Sequence, residues 1–150
     1  MAYFPADMPE PVPTLDDAAF WDHCAAQRLR FQSCAACELP RHPPTPVCSN
    51  CGSTRVRWVE APEHATVFTF TVVHHASHPA VTGRLPYVVA GVDFPELPNV
   101  RLVTNVTDAE PAEVRVGMSV HLWWDRLADG DARGRPRYLP RFRPTPGLPA

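Results

Sequence analysis

Four cysteines in two pairs, Cys34-Ala35-Ala36-Cys37 and Cys48-Ser49-Asn50-Cys51, are the residues of this 150-residue chain whose type and spacing point most directly to chemistry. Each C-x-x-C turn presents two thiolates. Two such turns facing one another place four sulfurs at the corners of a tetrahedron, the geometry Zn²⁺ takes in a closed structural site. We therefore expect one structural Zn held by Cys34, Cys37, Cys48 and Cys51. The alternative, four free thiols that happen to lie close, fits paired spacing poorly. A thioredoxin-type redox role requires one C-x-x-C on a βαβ unit rather than two facing each other. His42 lies between the knuckles and could stand in for a cysteine, but four sulfurs already complete the shell. The intervening loop, Glu38 to Val47, carries Pro40, Pro43, Pro44 and Pro46 and so excludes regular helix. Gly52 follows the second knuckle, where the backbone often needs a positive φ.

Other reactive side chains are weaker candidates. His74-His75-x-x-His78 precedes Pro79 at a strand end or in a loop. It lacks the helical H-x-x-x-H spacing and a nearby acid, so solvated loop histidines fit better than a catalytic metal site, with a role at a ligand opening as the alternative. There is no G-x-S-x-G and no Gly-rich phosphate loop. Cys24 falls on the apolar face of a helix and reads as a buried thiol. In Trp123-Trp124 one indole is expected in the core and the other against a partner or ligand. Arg133, Arg135, Arg137, Arg141 and Arg143 form a basic run that reads as a solvated tail, a phosphate contact or an electrostatic patch.

The elements that must position these residues are legible in outline. Residues 1 to 13 form an extended arm, with Tyr3 and Phe4 as potential anchors and a disordered tail as the alternative. Thr14 to about Arg30 reads as a helix, with Thr14 as N-cap and Asp16 and Asp17 at the positive end of the dipole. Phe20, Trp21, Cys24 and Leu29 share roughly one face. Arg30 to Gln32 enters the first knuckle as a strand, and Val56 to Glu60 leaves the second. Strands then follow at Ala65–His74, Tyr87–Phe94, Val100–Val106, Val120–Trp124 and Tyr138–Phe142, separated by Pro- and Gly-rich turns. In the first of these, Val67, Thr69, Thr71 and Val73 are expected on one face. The fold class is thus mainly β: an N-terminal helix, a rubredoxin-like zinc ribbon and a small OB-fold barrel. The expected divisions are 1–30 for arm and helix, 31–60 for the ribbon, and 61–150 for the barrel with its C-terminal tail.

Composition narrows the function classes. The formal net charge is −2, and all 14 basic residues are Arg, which argues against a broad nucleic-acid footprint. No secretory signal and no apolar run long enough to span a bilayer are evident, so a cytoplasmic location is expected. Cysteines in a reducing compartment favour metal ligation over disulfides.

Six pieces in this order carry a resemblance over roughly residues 15 to 145. They are Leu29-Arg30-Phe31-Gln32-Ser33-Cys34-x-x-Cys37; Cys48-x-x-Cys51-Gly52; Val67-Phe68-Thr69-Phe70-Thr71-Val72-Val73-His74; Pro86-Tyr87-Val88-Val89-Ala90; Val116-Gly117-Met118-x-Val120; and Leu139-Pro140-x-Phe142-x-Pro144. The chain resembles the zinc-ribbon plus OB-fold acyl-CoA-associated family, formerly a domain of unknown function. The resemblance implies an accessory subunit of a thiolase-fold enzyme: a thiolase, an acyltransferase, a hydroxymethylglutaryl-CoA synthase or a lipid-transfer-type aldolase of steroid side-chain breakdown. It implies that catalysis resides on the partner, that the zinc is structural, and that the small subunit supports the partner, contacts CoA and bridges to an upstream enzyme. Two departures from the family pattern are Thr104-Asn105, where many members place a glycine before the asparagine, and the Pro-rich arm.

The expectation from sequence is therefore a non-catalytic member of a hetero-oligomer, not an enzyme alone, meeting acyl-CoA through the complex. Phe70, His74, Tyr87, Trp124 and Phe142, near presumed strand ends, are the expected ligand or partner contacts. The alternative is a nucleic-acid-binding zinc-ribbon and OB-fold module, whose binding would weaken steeply with salt. An enzyme using the histidines and a second metal is the third reading.

Overall fold

The computed structural model describes residues 2–131 and 133–147. One helix, α1 (Ala18–Ala25), precedes eight strands: β1 (Arg30–Cys34), β2 (Pro40–Arg41), β3 (Val56–Glu60), β4 (His64–Val73), β5 (Tyr87–Asp93), β6 (Arg101–Val106), β7 (Ser119–Arg126) and β8 (Tyr138–Pro144). The first three strands form a small antiparallel sheet in the order β2-β1-β3. The other five close a barrel in the order β4-β5-β6-β8-β7. The barrel strands, numbered among themselves, run 1-2-3-5-4, the closed Greek-key order of an OB-fold. The expected fold class is therefore observed.

The helix is shorter than its apolar spacing suggests. Thr14 is not the N-cap: Asp17 takes that position, and its carboxylate accepts from the Thr14 N–H and hydroxyl at 2.6 and 3.0 Å. This turn leaves Leu15 97% exposed. The helix ends early because Gln27 adopts φ 54°, with the Gln27 N–H on the Cys24 carbonyl and the Arg28 N–H on the His23 carbonyl. That is a Schellman closure, built here on glutamine where glycine is the usual signal.

β4 closes the barrel by pairing with β5 along residues 66–73 and with β7 along residues 64–66. A bulge at Phe68 shifts the register between Val67 and Thr69. The extra residue reverses the alternation expected from sequence. Ala65 and Val67 enter the core before the bulge, and Phe70 and Val72 after it, so Thr69 and Thr71 face outward. Gly91 sits opposite Thr69, whose methyl lies only 3.2 Å from where a Cβ would stand.

Ribbon, helix and barrel share one core. Phe20 on α1 stacks on Phe31 of β1 with ring centroids 6.2 Å apart. Phe31 meets Phe94 at 5.1 Å, and Phe94 meets Phe142 of β8 at 6.1 Å. All four rings are buried. No helix among the described residues is long and apolar enough to cross a membrane.

Candidate metal centre and contact residues

The two cysteine knuckles are built alike. The Cys34 N–H donates to the Leu39 carbonyl and the Cys48 N–H to the Ser53 carbonyl, each at 2.9 Å. The Glu38 N–H returns to the Cys34 carbonyl and the Gly52 N–H to the Cys48 carbonyl. The residue after each second cysteine takes a left-handed conformation, Glu38 at φ 64° and Gly52 at φ 72°. Glycine carries that conformation without Cβ strain. In the first knuckle the Ala36 and Cys37 N–H groups point at the Cys34 sulfur, at 3.3 and 3.4 Å. These donors, Cys37 first and then Ala36, pull the Cys34 thiol down to about 6 and so favour the thiolate that a metal requires.

The four Sγ atoms lie within 4.8 Å of one another, with Cys34–Cys51 and Cys37–Cys48 each at 3.6 Å. Zinc–sulfur bonds of about 2.3 Å in a tetrahedron require sulfurs about 3.8 Å apart, so the donor set fits one zinc ion. Cys34 and Cys48 are buried, Cys37 is half-buried and Cys51 is exposed. Behind the site, Gln32 Oε1 accepts from Arg41 Nε at 2.6 Å and from the Thr45 N–H at 2.8 Å, fixing the proline-rich loop on β1. His42 turns away from the sulfurs and packs on Phe20 and Phe31 at 4.9 and 5.1 Å. Burial lowers its pKa to about 4. Cys24 is buried under α1, and desolvation pushes its thiol up to about 12.

The five expected contact residues are not gathered into one site. His74 is exposed and follows β4. Because Val73 pairs with Tyr87, His74 and Tyr87 stand at the same end of the β4–β5 hairpin. His78 accepts the Ala80 N–H at 3.2 Å and caps the 3-10 helix Pro79–Arg84. Phe70 and Trp124 are half-buried and pack on the barrel core. Phe142 is a correction: it is 0% exposed and lies against Phe94, so it cannot meet a ligand or partner.

Trp123 donates from Nε1 to Thr107 Oγ1 at 2.8 Å.

The arginine run is not a solvated tail. Arg135 pairs with Asp22 and Asp131, and Arg137 with Glu10. Arg141 is buried, donating from Nε to Asp125 and from Nη1 to Asn105, and Arg143 reaches His121. Asn105 in turn donates to the Val88 carbonyl at 2.8 Å. Sequence reasoning missed this network. Alternation hides it: Val120, Leu122, Trp124 and Phe142 face the core, so Asp125 and Arg141 fall on the outer face, where Tyr3 and Phe4 of the arm cover them. The arm is also placed rather than loose, with the Tyr3 N–H on Asp125 Oδ1 at 3.0 Å.

Residues 21–57 match the family model described as the ChsH2 rubredoxin-like zinc ribbon domain, and residues 58–125 match the ChsH2 C-terminal OB-fold domain. The chain is 44% identical over 129 residues to a probable enoyl-CoA hydratase alpha subunit of Thermomonospora curvata, covering 85% of this chain and 37% of that protein. It is 41% identical over 117 residues to the 3-oxo-4,17-pregnadiene-20-carboxyl-CoA hydratase alpha subunit of Mycobacterium tuberculosis, covering 77% and 36%. The chain thus spans little more than a third of these two relatives. A DUF35 domain-containing scaffold protein of Pyrococcus furiosus is 30% identical over 102 residues, covering 68% and 73%. Among solved structures, a chain of the Ltp2-ChsH2(DUF35) aldolase superposes with a TM-score of 0.76 at 39% identity, covering 90% of this chain and 98% of that one.

Proposed function

Because the chain belongs to the ChsH2 family of a rubredoxin-like zinc ribbon followed by an OB-fold domain, we propose that it is a non-catalytic accessory subunit of a thiolase-fold enzyme acting on acyl-CoA. One observation carries this reading: the likeness extends over 98% of a chain of the Ltp2-ChsH2(DUF35) aldolase. The scaffold name of the Pyrococcus relative points the same way. The partner class is then a thiolase, an acyltransferase or a lipid-transfer-type aldolase. The steroid acyl-CoA in the name of the mycobacterial relative supports lipid or steroid breakdown as the setting.

In this reading the zinc staples the ribbon, and the aromatic column joins ribbon to barrel so that both present one rigid surface. Residues 1–30 supply arm and helix, 31–60 the ribbon and 61–150 the barrel with its tail. His74 and Tyr87 at the mouth of the β4–β5 hairpin, with Phe70 and Trp124, are the proposed contacts. The protein works in the cytoplasm as part of a hetero-oligomer and supports transfer of substrate to its partner. The nucleic-acid reading is disfavoured because Arg135, Arg137 and Arg141 of the basic run are each paired with a carboxylate and the net charge is −2.

The test is affinity capture of the tagged chain from its native host. Recovery of a thiolase-fold enzyme in a fixed ratio is the expected result. Capture of nucleic acid in place of such an enzyme, lost as salt rises, would sink the reading.

A further inference from the structure

The N-terminal arm lies against the barrel without joining its sheet. In residues 2–11 the backbone makes one local bond, the Met8 N–H to the Pro5 carbonyl at 3.0 Å. Its remaining ties are to side chains. The Tyr3 N–H meets Asp125, and the Pro11 carbonyl meets Arg137. The rings of Tyr3 and Phe4 each stand 5.1 Å from the Arg141 guanidinium carbon, and Phe4 meets Tyr87 edge-on at 5.2 Å. Seven residues after Tyr3, Glu10 pairs with Arg137. Between these two anchors Pro5, Ala6 and Asp7 are exposed.

The seat beneath is built by the barrel. An open cleft of about 210 Å³ runs along the arm, lined by Phe4 and Met8 on one side and by Leu127, Leu139, Arg141 and Asn105 on the other. The two arginines also differ. Arg141 is neutralised by Asp125 within the barrel, whereas among the described residues the Arg137 side chain bonds only to the arm. With the arm lifted, the half-buried Arg137 calls for another carboxylate.

We propose that this face of β7 and β8 is a recognition groove for an extended, proline-containing segment with paired aromatics and a carboxylate seven residues on. The arm fills the groove in cis, and a partner protein's segment of that chemistry displaces it. The proposal does not depend on which enzyme the partner is.

A labelled synthetic peptide of residues 2–13 is the probe, titrated by fluorescence anisotropy into the full chain. In the wild type a tethered arm competes at an effective concentration on the order of millimolar. The triple variant Tyr3→Ala, Phe4→Ala, Glu10→Ala frees the groove and is expected to bind the peptide at least about tenfold more tightly. Adding Arg137→Ala should reverse most of that gain. In the wild type, the Tyr3 amide should exchange its hydrogen far faster than the Thr107 amide, which bonds to the Phe142 carbonyl in the barrel. A triple variant with zinc and near-ultraviolet spectrum intact that binds no better than wild type overturns the proposal. So does a Tyr3 amide that exchanges as slowly as Thr107, or a triple variant that does not fold, because the arm would then be part of the core.

Discussion

Cys34 and Cys48 hold equivalent places in the two knuckles, each buried and each closing its turn with the same pair of backbone bonds. Replacing both with Ser removes one sulfur from each 3.6 Å pair and leaves two ligands for a four-coordinate ion. Because structural zinc binding is coupled to folding, the double variant is expected to purify without zinc and to lose its cooperative melt. Metal analysis beside a thermal scan checks this, and an unchanged melt in a zinc-free protein would contradict it. His42 makes a second residue-scale prediction. Its pKa is near 6.5 unfolded and about 4 folded, so the two states bind protons equally only at pH well above 6.5. Below that, the unfolded chain takes up a proton that the native state refuses, and stability falls until the pH reaches the folded pKa. The loss between pH 6.5 and 5 should be about 2 kcal/mol. Urea melts with zinc content verified at each pH read it, and His42→Gln should flatten this part of the curve. The cysteines were legible because their ligand set is encoded by local spacing. The arginine pairings were not, because Arg137 and Glu10 are 127 residues apart and only the barrel brings them together.

At the scale of elements, the aromatic column from Phe20 through Phe31 and Phe94 to Phe142 is what makes ribbon and barrel one body. Phe31 is 0% exposed in β1, where a cavity would open between the two. Phe31→Ala is expected to cost about 3–5 kcal/mol and to lower barrel and ribbon stability together. Separate melting transitions for zinc release and barrel unfolding would contradict the coupling. On the opposite wall, Arg141→Ala strands the buried Asp125 carboxylate and should cost about 3–5 kcal/mol, read from chemical denaturation. Arg141→Ala paired with Asp125→Ala should recover part of that loss. Strand positions were readable from alternation and turn residues, and all five barrel strands stand close to where the pattern put them. Facing was not readable past Phe68, since a single bulge residue inverts the parity of the rest of β4. Phe142 is expected from sequence near a strand end, but β8 runs on to Pro144 and keeps it in the core. Helix length failed for a related reason: Gln27 supplies the left-handed closure without a glycine to announce it.

For the whole molecule, the division of labour follows from what each part is built to do. The ribbon has a sulfur shell that fits one zinc, the barrel is held by closure, and the arm by two side-chain anchors. The described metal-type donors converge on the four cysteines, a sulfur-only shell suited to structure. The proposed function puts the chemistry on a partner and leaves support to this chain. Reconstitution tests it most directly. The captured thiolase-fold enzyme is assayed for acyl-CoA turnover alone, with the zinc-loaded chain, and with the Cys34→Ser, Cys48→Ser variant, alongside the chain by itself. The account predicts no turnover by the chain alone and partner activity or stability that rises only with the zinc-loaded protein. Robust acyl-CoA turnover by the isolated chain would contradict it.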